Sequence, residues 1–176
     1  MAQEIMERLD HAVELDDRGI HVMMSPVNRH ELAVGRLQEQ LVRQVRDGLH
    51  VHTGDPQIDD PVTGRMRRPD LVVVPWAALD RPGYLRPSDI ELVAEVVSVP
   101  NPENDYESKT ADYPAMGIPV YVIIDPRTSV VTVLTEPHST PQGQRYRNRT
   151  EYNFGETAKA GAYEIETSAF SPYRKD

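Results

Sequence analysis

The sequence predicts an α/β or α+β fold, with a mixed β-sheet flanked by helices. Three observations lead to this class. Apolar residues recur three or four positions apart in one early segment, as they do on a helix that packs on a core. Two apolar runs follow, LVVV after Asp70 and IELVAEVVSV at residues 90–99. Two further strand-like segments flank the turn Pro126-Arg127-Thr128 and resemble a hairpin. The order is helix, strands, helix, strands, which is typical of helices packed on a sheet.

Length and composition limit the classes of protein. The chain has 176 residues, so we expect a single domain over 1–176, with 1–19 as a peripheral N-terminal segment. Its 28 acidic and 19 basic residues give a net charge of −9, so any contact with nucleic acid must be local. The absence of cysteine excludes disulfides, thiolate metal sites and thiol catalysis. No segment has the apolar length of a signal peptide or membrane span, so we expect no membrane contact and a cytoplasmic location.

The first helix is the most regular element. Residues before Gly19 are expected to be helical or frayed, followed by an extended piece at Ile20–Met24. In SPVNRHELAVGRLQEQLVRQVRDGL, Asn28 and Glu31 fit a capping box, and Gly48 predicts the end of the helix. The apolar stripe of this helix consists of Val34, Leu37, Leu41 and Val45.

The rest of the chain supplies strands and a shorter helix. LVVV predicts a buried strand, residues 77–89 a loop, and IELVAEVVSV the next strand. A second helix is expected from Asp105, carrying Tyr106, Lys109 and Tyr113, and Pro114 should kink or end it. IPVYVIIDP and SVVTVLTEP predict the hairpin, and RYRNRTEYNF and AYEIE predict strands near the C-terminus.

Glu95 is the unusual residue of this pattern, because it is a carboxylate within an apolar strand. A strand that is apolar on both faces is normally covered on both sides, and an unpaired buried carboxylate costs several kcal/mol. A cation, a metal ion or protonation of the acid could compensate it. Glu95 could also face a partly open edge of the sheet or pair with an arginine.

Asp70 and Lys109 give Glu95 a chemical context. Asp70 begins the preceding buried strand, and two carboxylates on adjacent strands are the oxygen ligands that Mg²⁺ prefers. The ammonium of Lys109, in the helix that follows, could hold a metal-bound water or stabilise charge on a phosphate.

The order of these residues resembles the Uma-type restriction endonuclease family, within the PD-(D/E)-x-K nuclease superfamily. The matching elements lie between Pro69 and Pro126. They are Asp70 in RPDLVVV, Glu95-Val96-Val97-Ser98, then Asp105, Lys109 and Tyr113, Gly117-Ile118, and Tyr121 through Asp125-Pro126. The resemblance implies a restriction-endonuclease-like fold in which Asp70 and Glu95 are metal ligands and Lys109 is the catalytic lysine. The superfamily usually places that lysine two residues after the acid, where this chain has Val97.

The resemblance also suggests residues with alternative roles. An additional acid often comes from the first helix, and Glu31 is the candidate, although a role in the capping box explains it equally well. Tyr113 could contact phosphate or could pack the second helix on the sheet. Asp105 fits the first turn of that helix better than it fits a metal ligand. His30 is expected to be an exposed histidine in the first turn of its helix.

Arginines are the candidates for contact with nucleic acid. Arg145, Arg147 and Arg149 alternate and would share one face of a strand, and Arg67 and Arg68 lie shortly before Asp70. They could equally neutralise nearby carboxylates in an acidic protein.

We therefore predict a nuclease that uses Mg²⁺ or Mn²⁺ to hydrolyse phosphodiester bonds in nucleic acid, with DNA as the expected substrate. The alternative is a non-catalytic module that keeps the fold and binds DNA or protein. Either form could act as a homodimer.

Overall fold

The computed structural model describes residues 13–16, 19–22, 28–54, 56–98 and 104–173. Its strands are β1 (Val13–Asp16), β2 (Gly19–Val22), β3 (Leu49–Thr53), β4 (Ile58–Asp60), β5 (Arg65–Arg67), β6 (Leu71–Pro75), β7 (Leu92–Val96), β8 (Val120–Asp125), β9 (Val130–Thr140), β10 (Gly143–Asn153), β11 (Thr157–Ala160) and β12 (Tyr163–Glu166). Its α-helices are α1 (Asn28–Val42), α2 (Trp76–Leu79) and α3 (Lys109–Ala115). A π-helical turn, Asn104–Ser108, leads directly into α3. Short 3₁₀ turns lie at Pro87–Asp89 and Thr167–Ala169.

A six-stranded mixed sheet in the order β10-β9-β8-β7-β6-β3 forms the centre of the fold. Strands β7 and β8 are parallel, and the other neighbours are antiparallel. The connection between the two parallel strands contains the π-helical turn and α3, because parallel neighbours need a crossover. The predicted mixed α/β fold class is confirmed.

The central strands are apolar throughout because both faces of the sheet are covered. Successive side chains point to opposite faces, so β6 sends Leu71 and Val73 to one core and Val72 and Val74 to the other. The first core includes the predicted stripe of α1 together with the β11–β12 hairpin. In the second core, α3 contributes Tyr113, which is fully buried.

A second sheet, in the order β2-β1-β5-β4, contains the largest departure from the prediction. The segment before Gly19 was expected to be helical or frayed, but Val13–Asp16 is a strand that pairs with β2 and, through Leu15 and Met66, with β5. Pairing with β5, which is distant in sequence, makes this segment a strand and outweighs its local helix propensity. Residues 1–12 and the end of the expected extended piece, Met23 and Met24, lie outside the described residues.

The other elements agree with the sequence more closely. Helix α1 begins at Asn28 but ends at Val42, before the predicted end at Gly48. The predicted loop at residues 77–89 contains most of α2 and a 3₁₀ turn. Helix α3 contains Pro114 and ends one residue later, as predicted. The hairpin of β8 and β9 is also confirmed. Among the described segments, no helix is long and apolar enough to cross a membrane.

Candidate active site

Asp70 and Glu95 lie opposite each other where β6 begins and β7 ends. The antiparallel register pairs Leu71 with Ala94, so the next position outward brings Asp70 to Glu95. The backbone N–H of Val96 donates to Oδ2 of Asp70 at 2.7 Å, which ties this carboxylate to β7. The Glu95 side chain is 3% exposed and the Asp70 side chain 23%. The pair therefore has one buried member and one that solvent reaches.

Lys109, the first residue of α3, places its ammonium beside Glu95. Its ammonium lies 2.8 Å from Oε1 of Glu95, 3.2 Å from Oδ1 of Asp105 and 3.5 Å from Oε1 of Glu14. The hydroxyl of Tyr113 donates to the same Oε1 of Glu95 at 2.5 Å. Val97 is fully buried in the second core. The lysine that is missing from the strand is thus supplied, next to Glu95, by the first residue of α3.

Burial and neighbouring charges act in opposite directions at this lysine. Burial lowers the pKa of Lys109, but Glu14, Glu95 and Asp105 together hold it well above its ordinary value, so the side chain is an ammonium at neutral pH. Burial raises the pKa of Glu95 well above its ordinary value; Lys109 opposes this rise, and Asp70 and Asp105 add to it. The ionised form of Glu95 is therefore destabilised unless cations neutralise its charge.

Arg67 belongs to a second, deeper layer of ion pairs. Its side chain is 0% exposed and contacts Glu14, at 2.9 Å, and Asp112. Asp112 also accepts a hydrogen bond from Nε of Arg65 at 2.6 Å. Burial lowers the pKa of Arg67, but Glu14 and Asp112 raise it above its ordinary value. The prediction that Arg67 contacts nucleic acid is wrong, because a fully buried guanidinium cannot reach a phosphate at the surface.

His30 is buried and Glu31 is exposed, the reverse of what the sequence suggested. His30 is buried, not exposed, and its Nε2 lies 3.0 Å from Oδ2 of Asp70. Burial lowers the pKa of His30, but the hydrogen bond and charge of Asp70 raise it above the ordinary value. Glu31 is 59% exposed and lies 3.7 Å from Nδ1 of His30. The structure thus places the histidine of α1, and not its acid, in contact with the site.

The surface arginines do not form one row. In a regular strand Arg149 and Tyr146 would point to opposite faces of the sheet. Here both lie on the face of the second core: Arg149 lies over the Tyr106 ring, and Tyr146 packs near Tyr121. The alternation breaks where Glu136 of β9 has a φ of 60°. The predicted shared face of Arg145, Arg147 and Arg149 is therefore wrong, although all three are exposed. Arg68 is half-buried, and its backbone N–H donates to Glu14.

The donor atoms at Asp70 and Glu95 can be compared with the needs of a divalent cation. Among the described residues, no group of three or more histidines, aspartates and glutamates is arranged to hold a metal. Oδ1 of Asp70 and Oε2 of Glu95 accept no hydrogen bond within those ranges, so each carboxylate has a free oxygen. Mg²⁺ commonly uses one or two carboxylates and completes its shell with water and substrate phosphate. The residues fit such a site, and they do not form a complete cage.

The charge balance points the same way. Among the described residues of the cluster, carboxylates outnumber arginine and lysine side chains by five to three, and His30 is a further cationic partner of Asp70 when protonated. The carboxylates are those of Glu14, Asp70, Glu95, Asp105 and Asp112, and the cations are Arg65, Arg67 and Lys109.

Sequence reasoning missed several members of this cluster. Glu14, Asp105 and Asp112 are all buried and contact Lys109 or Arg67. Asp105 and Asp112 share the segment of Lys109, and the spacing of Asp105 four residues before the lysine was a usable signal. Glu14 and His30 gave no such signal, because their partners are distant in sequence.

A mixed sheet that carries Asp70 and Glu95 where β6 begins and β7 ends, with Lys109 beside them, is typical of the restriction-endonuclease-like folds. The structure is similar to the crystal structure of a protein described as a "putative nuclease belonging to DUF820" from Anabaena variabilis, with a TM-score of 0.70, 13% identity, and coverage of 96% of this chain and 95% of that one. At this identity the likeness shows the fold. The model of the Uma2 family, described as "Putative restriction endonuclease", matches residues 2–161. The chain belongs to the Uma2 family, as its resemblance suggested. No curated protein matches it.

Proposed function

We propose that this protein is a metal-dependent nuclease that hydrolyses phosphodiester bonds in DNA. The observation that carries the proposal is the convergence of three groups from separate elements. The ammonium of Lys109 lies 2.8 Å from Glu95, and Glu95 lies opposite Asp70 in the sheet register. Membership of the Uma2 family supports a nucleic-acid substrate.

Asp70 and Glu95 are the residues that would hold Mg²⁺ or Mn²⁺, through the carboxylate oxygens that accept no hydrogen bond from the described part of the chain. A bound divalent cation would polarise the phosphate and make a water molecule more acidic. Tyr113 and Lys109 both contact Oε1 of Glu95, which fixes the carboxylate and leaves Oε2 for the cation. His30 holds Asp70 through its other oxygen, Oδ2. The protein thus orients both ligands before a cation binds.

Lys109 acts as a positive charge rather than as a base. Its carboxylate neighbours keep its pKa well above the ordinary value despite the opposing effect of burial, so the amine holds its proton at neutral pH. An ammonium in a buried site stabilises the negative charge that develops on a phosphate, and loss of one such donor typically costs 10²–10³ in rate. Lys109 would donate to the reacting phosphate, and proton abstraction falls to another group.

Contacts with the DNA backbone would come from arginines near the surface. Arg145 and Arg147 are exposed on the edge strand β10, and the half-buried Arg68 lies two residues before Asp70. Arg149, paired with Glu151 at 2.8 Å, is not among them. Because the net charge is −9, these cations would act locally against a repulsive background. Binding should therefore weaken as salt rises, as for any contact between cations and phosphates.

Cleavage of plasmid and oligonucleotide DNA with Mg²⁺ or Mn²⁺ tests the proposal. Asp70→Asn, Glu95→Gln and Lys109→Met should each lower the rate by about 100-fold or more. Lys159→Met removes an exposed lysine on β11 and serves as the matched control. Asp70 is partly exposed, so Asp70→Asn should fold and should also abolish the rise in melting temperature that Mn²⁺ gives the parent protein. Cleavage that persists in Asp70→Asn and Glu95→Gln would rule out this mechanism.

A non-catalytic binding module is the second candidate. The feature that favours it is the lack of a preformed set of three metal ligands in the described part of the chain. This function predicts DNA binding that is independent of divalent cations and equal in Asp70→Asn and the parent protein, with no cleavage by either. The same protein samples therefore decide between the two functions.

A further inference from the structure

An open cleft lies beside the candidate active site, on the sheet face that carries α3. It has a volume of about 330 Å³ and is lined by the π-helical turn and by residues of β8, β9 and the edge strand β10. Tyr106, Arg127, Thr132 and Glu151 are among its lining residues. The nuclease mechanism uses none of these four side chains. The cleft therefore needs an explanation of its own.

Thr132, on β9, has an unsatisfied hydroxyl. The residue is 1% exposed, and its Oγ1 finds no hydrogen-bond partner among the described residues. A buried hydroxyl without a partner costs about 1–3 kcal/mol, whereas valine would fill the same space without that cost. Because Oγ1 itself has almost no accessible surface, a ligand in the cleft would reach it only after a rotation about χ1 that turns the hydroxyl toward the cleft. A ligand that supplies the missing hydrogen bond would stabilise that rotamer.

The Tyr106 ring gives the cleft a stacking surface. Its hydroxyl donates to Asp125 at 3.1 Å, which fixes the ring, and the guanidinium of Arg149 lies over it at 6.0 Å from the ring centre. A planar heterocycle between ring and guanidinium needs a separation of roughly 7 Å, twice the stacking distance. Arg149 is an exposed side chain held by Glu151 at 2.8 Å, so a shift of about 1 Å would admit the heterocycle.

The charges of the cleft favour a neutral ligand over a free anion. Arg127 is paired with Asp125 at 2.7 Å and Arg149 with Glu151, so each cation is already neutralised. A phosphate here would face two carboxylates. A nucleobase has no such conflict, because it stacks on aromatic rings and guanidinium planes and forms hydrogen bonds through its edges.

The cleft is also connected to the catalytic cluster. Tyr106 follows Asp105, whose carboxylate contacts Lys109 and whose carbonyl accepts a hydrogen bond from Tyr121 at 3.0 Å. A base bound on Tyr106 would belong to a nucleotide near the phosphate that Lys109 contacts. We propose that this cleft, lined by Tyr106 and Thr132 and bordered by Arg149 above the Tyr106 ring, is a nucleobase subsite that takes one unpaired base of the DNA strand. The proposal rests on the nuclease function for the identity of its ligand.

Binding of two single-stranded probes tests the subsite without any cleavage. One is a short oligodeoxynucleotide, and the other is a strand of equal length in which tetrahydrofuran replaces every nucleoside. Fluorescence anisotropy in EDTA measures the affinity of the full chain for both. The parent protein should bind the strand with bases about tenfold more tightly, because one stacked base contributes a factor of this size. Tyr106→Leu should reduce the preference to less than about twofold.

Thr132→Val separates recognition from folding. It should leave the melting temperature equal or higher, weaken binding of the base-containing strand about fivefold and leave the abasic strand unaffected. Thr150→Val, at an exposed position on the neighbouring strand, is the matched control and should change neither affinity.

The outcomes also distinguish this proposal from the nuclease function. Equal affinity for the two strands, no binding of either, or a full preference retained in Tyr106→Leu would overturn the subsite. Cleavage that depends on Asp70, without a base preference, would leave the nuclease function standing and remove the subsite alone. A base preference in a protein that does not cleave DNA would retain the subsite and remove the nuclease function.

Discussion

Replacing Lys109 with methionine removes a buried ammonium and keeps a side chain of similar shape. The lysine is 2% exposed, and three carboxylates, those of Glu14, Glu95 and Asp105, lie within 3.5 Å of its nitrogen. Of these, Glu14 retains Arg67 as a partner. Within the ranges that the structure describes, Glu95 would keep the neutral hydroxyl of Tyr113 as its one remaining hydrogen-bond donor. The substitution therefore leaves at least one buried carboxylate without a cation.

The expected cost is large because an uncompensated charge remains in the core. Removal of one partner of a buried ion pair typically destabilises a protein by about 3–5 kcal/mol. Lys159→Met, at an exposed position, should change stability by no more than about 0.5 kcal/mol. If Glu95 is the main partner, Glu95→Gln in the Lys109→Met background should recover more than about 1 kcal/mol relative to simple additivity.

Urea unfolding followed by circular dichroism, in EDTA, gives the unfolding free energies of five proteins. They are the parent, Lys109→Met, Glu95→Gln, the double variant and the Lys159→Met control. EDTA matters because a divalent cation bound at Glu95 would replace part of the lost charge. A cost below about 1 kcal/mol for Lys109→Met, together with no coupling to Glu95, would refute the buried ion pair in solution. This result would also remove the basis for the role of Lys109 in catalysis.

Two further predictions concern the ion pair of Asp125 with Arg127 and the backbone conformation at Gly117. Burial raises the pKa of Asp125, but hydrogen bonds from Arg127 outweigh it and hold the pKa below its ordinary value. The stability that this pair contributes is therefore present at neutral pH and is lost as the pH falls below about 4. The difference in unfolding free energy between the parent and Arg127→Ala should accordingly stay nearly constant from pH 7 to about pH 5 and shrink as the pH falls from about 4 to about 2. A difference that stays constant down to about pH 2 would contradict the assignment. Gly117 has a φ of 78° after α3, so Gly117→Ala should cost about 1–2 kcal/mol in urea unfolding. Gly35 lies inside α1, so Gly35→Ala should instead stabilise the protein by about 0.5–1 kcal/mol. Equal effects of the two substitutions would exclude a backbone requirement for glycine at residue 117.

The parts of the site that the sequence predicts are those that local pattern determines. Glu95 is conspicuous because it interrupts an apolar strand, and Asp70 precedes the adjacent one. Once both runs are strands of one sheet, antiparallel pairing brings the two carboxylates together. Lys109 lies in the crossover that leaves β7 just after Glu95 and returns the chain over one face of the sheet to the parallel strand β8. The start of its helix is therefore expected near that carboxylate.

The parts that the sequence does not predict depend on contacts between distant segments. Arg67 and Arg68 are adjacent and chemically identical, yet one is fully buried and the other half-buried. The pairing of β5 with β1 turns the guanidinium of Arg67 toward Glu14, and Arg68 contacts the same carboxylate through its backbone N–H. Val13–Asp16 is also too short for its own periodicity to select a strand, so tertiary pairing decides it.

The position of Lys109 on a helix has a consequence for how the protein can adapt. A lysine two residues along the strand from Glu95 would be held at a nearly fixed distance by the pleat of the sheet. Here the separation between ammonium and carboxylate depends on how α3 rests on the sheet, and Tyr113 and Met116 determine that contact. Substitutions in this apolar contact can therefore adjust the catalytic geometry by fractions of an ångström while every reactive side chain stays the same. Natural variation in the packing of one short helix becomes a means of tuning the chemistry.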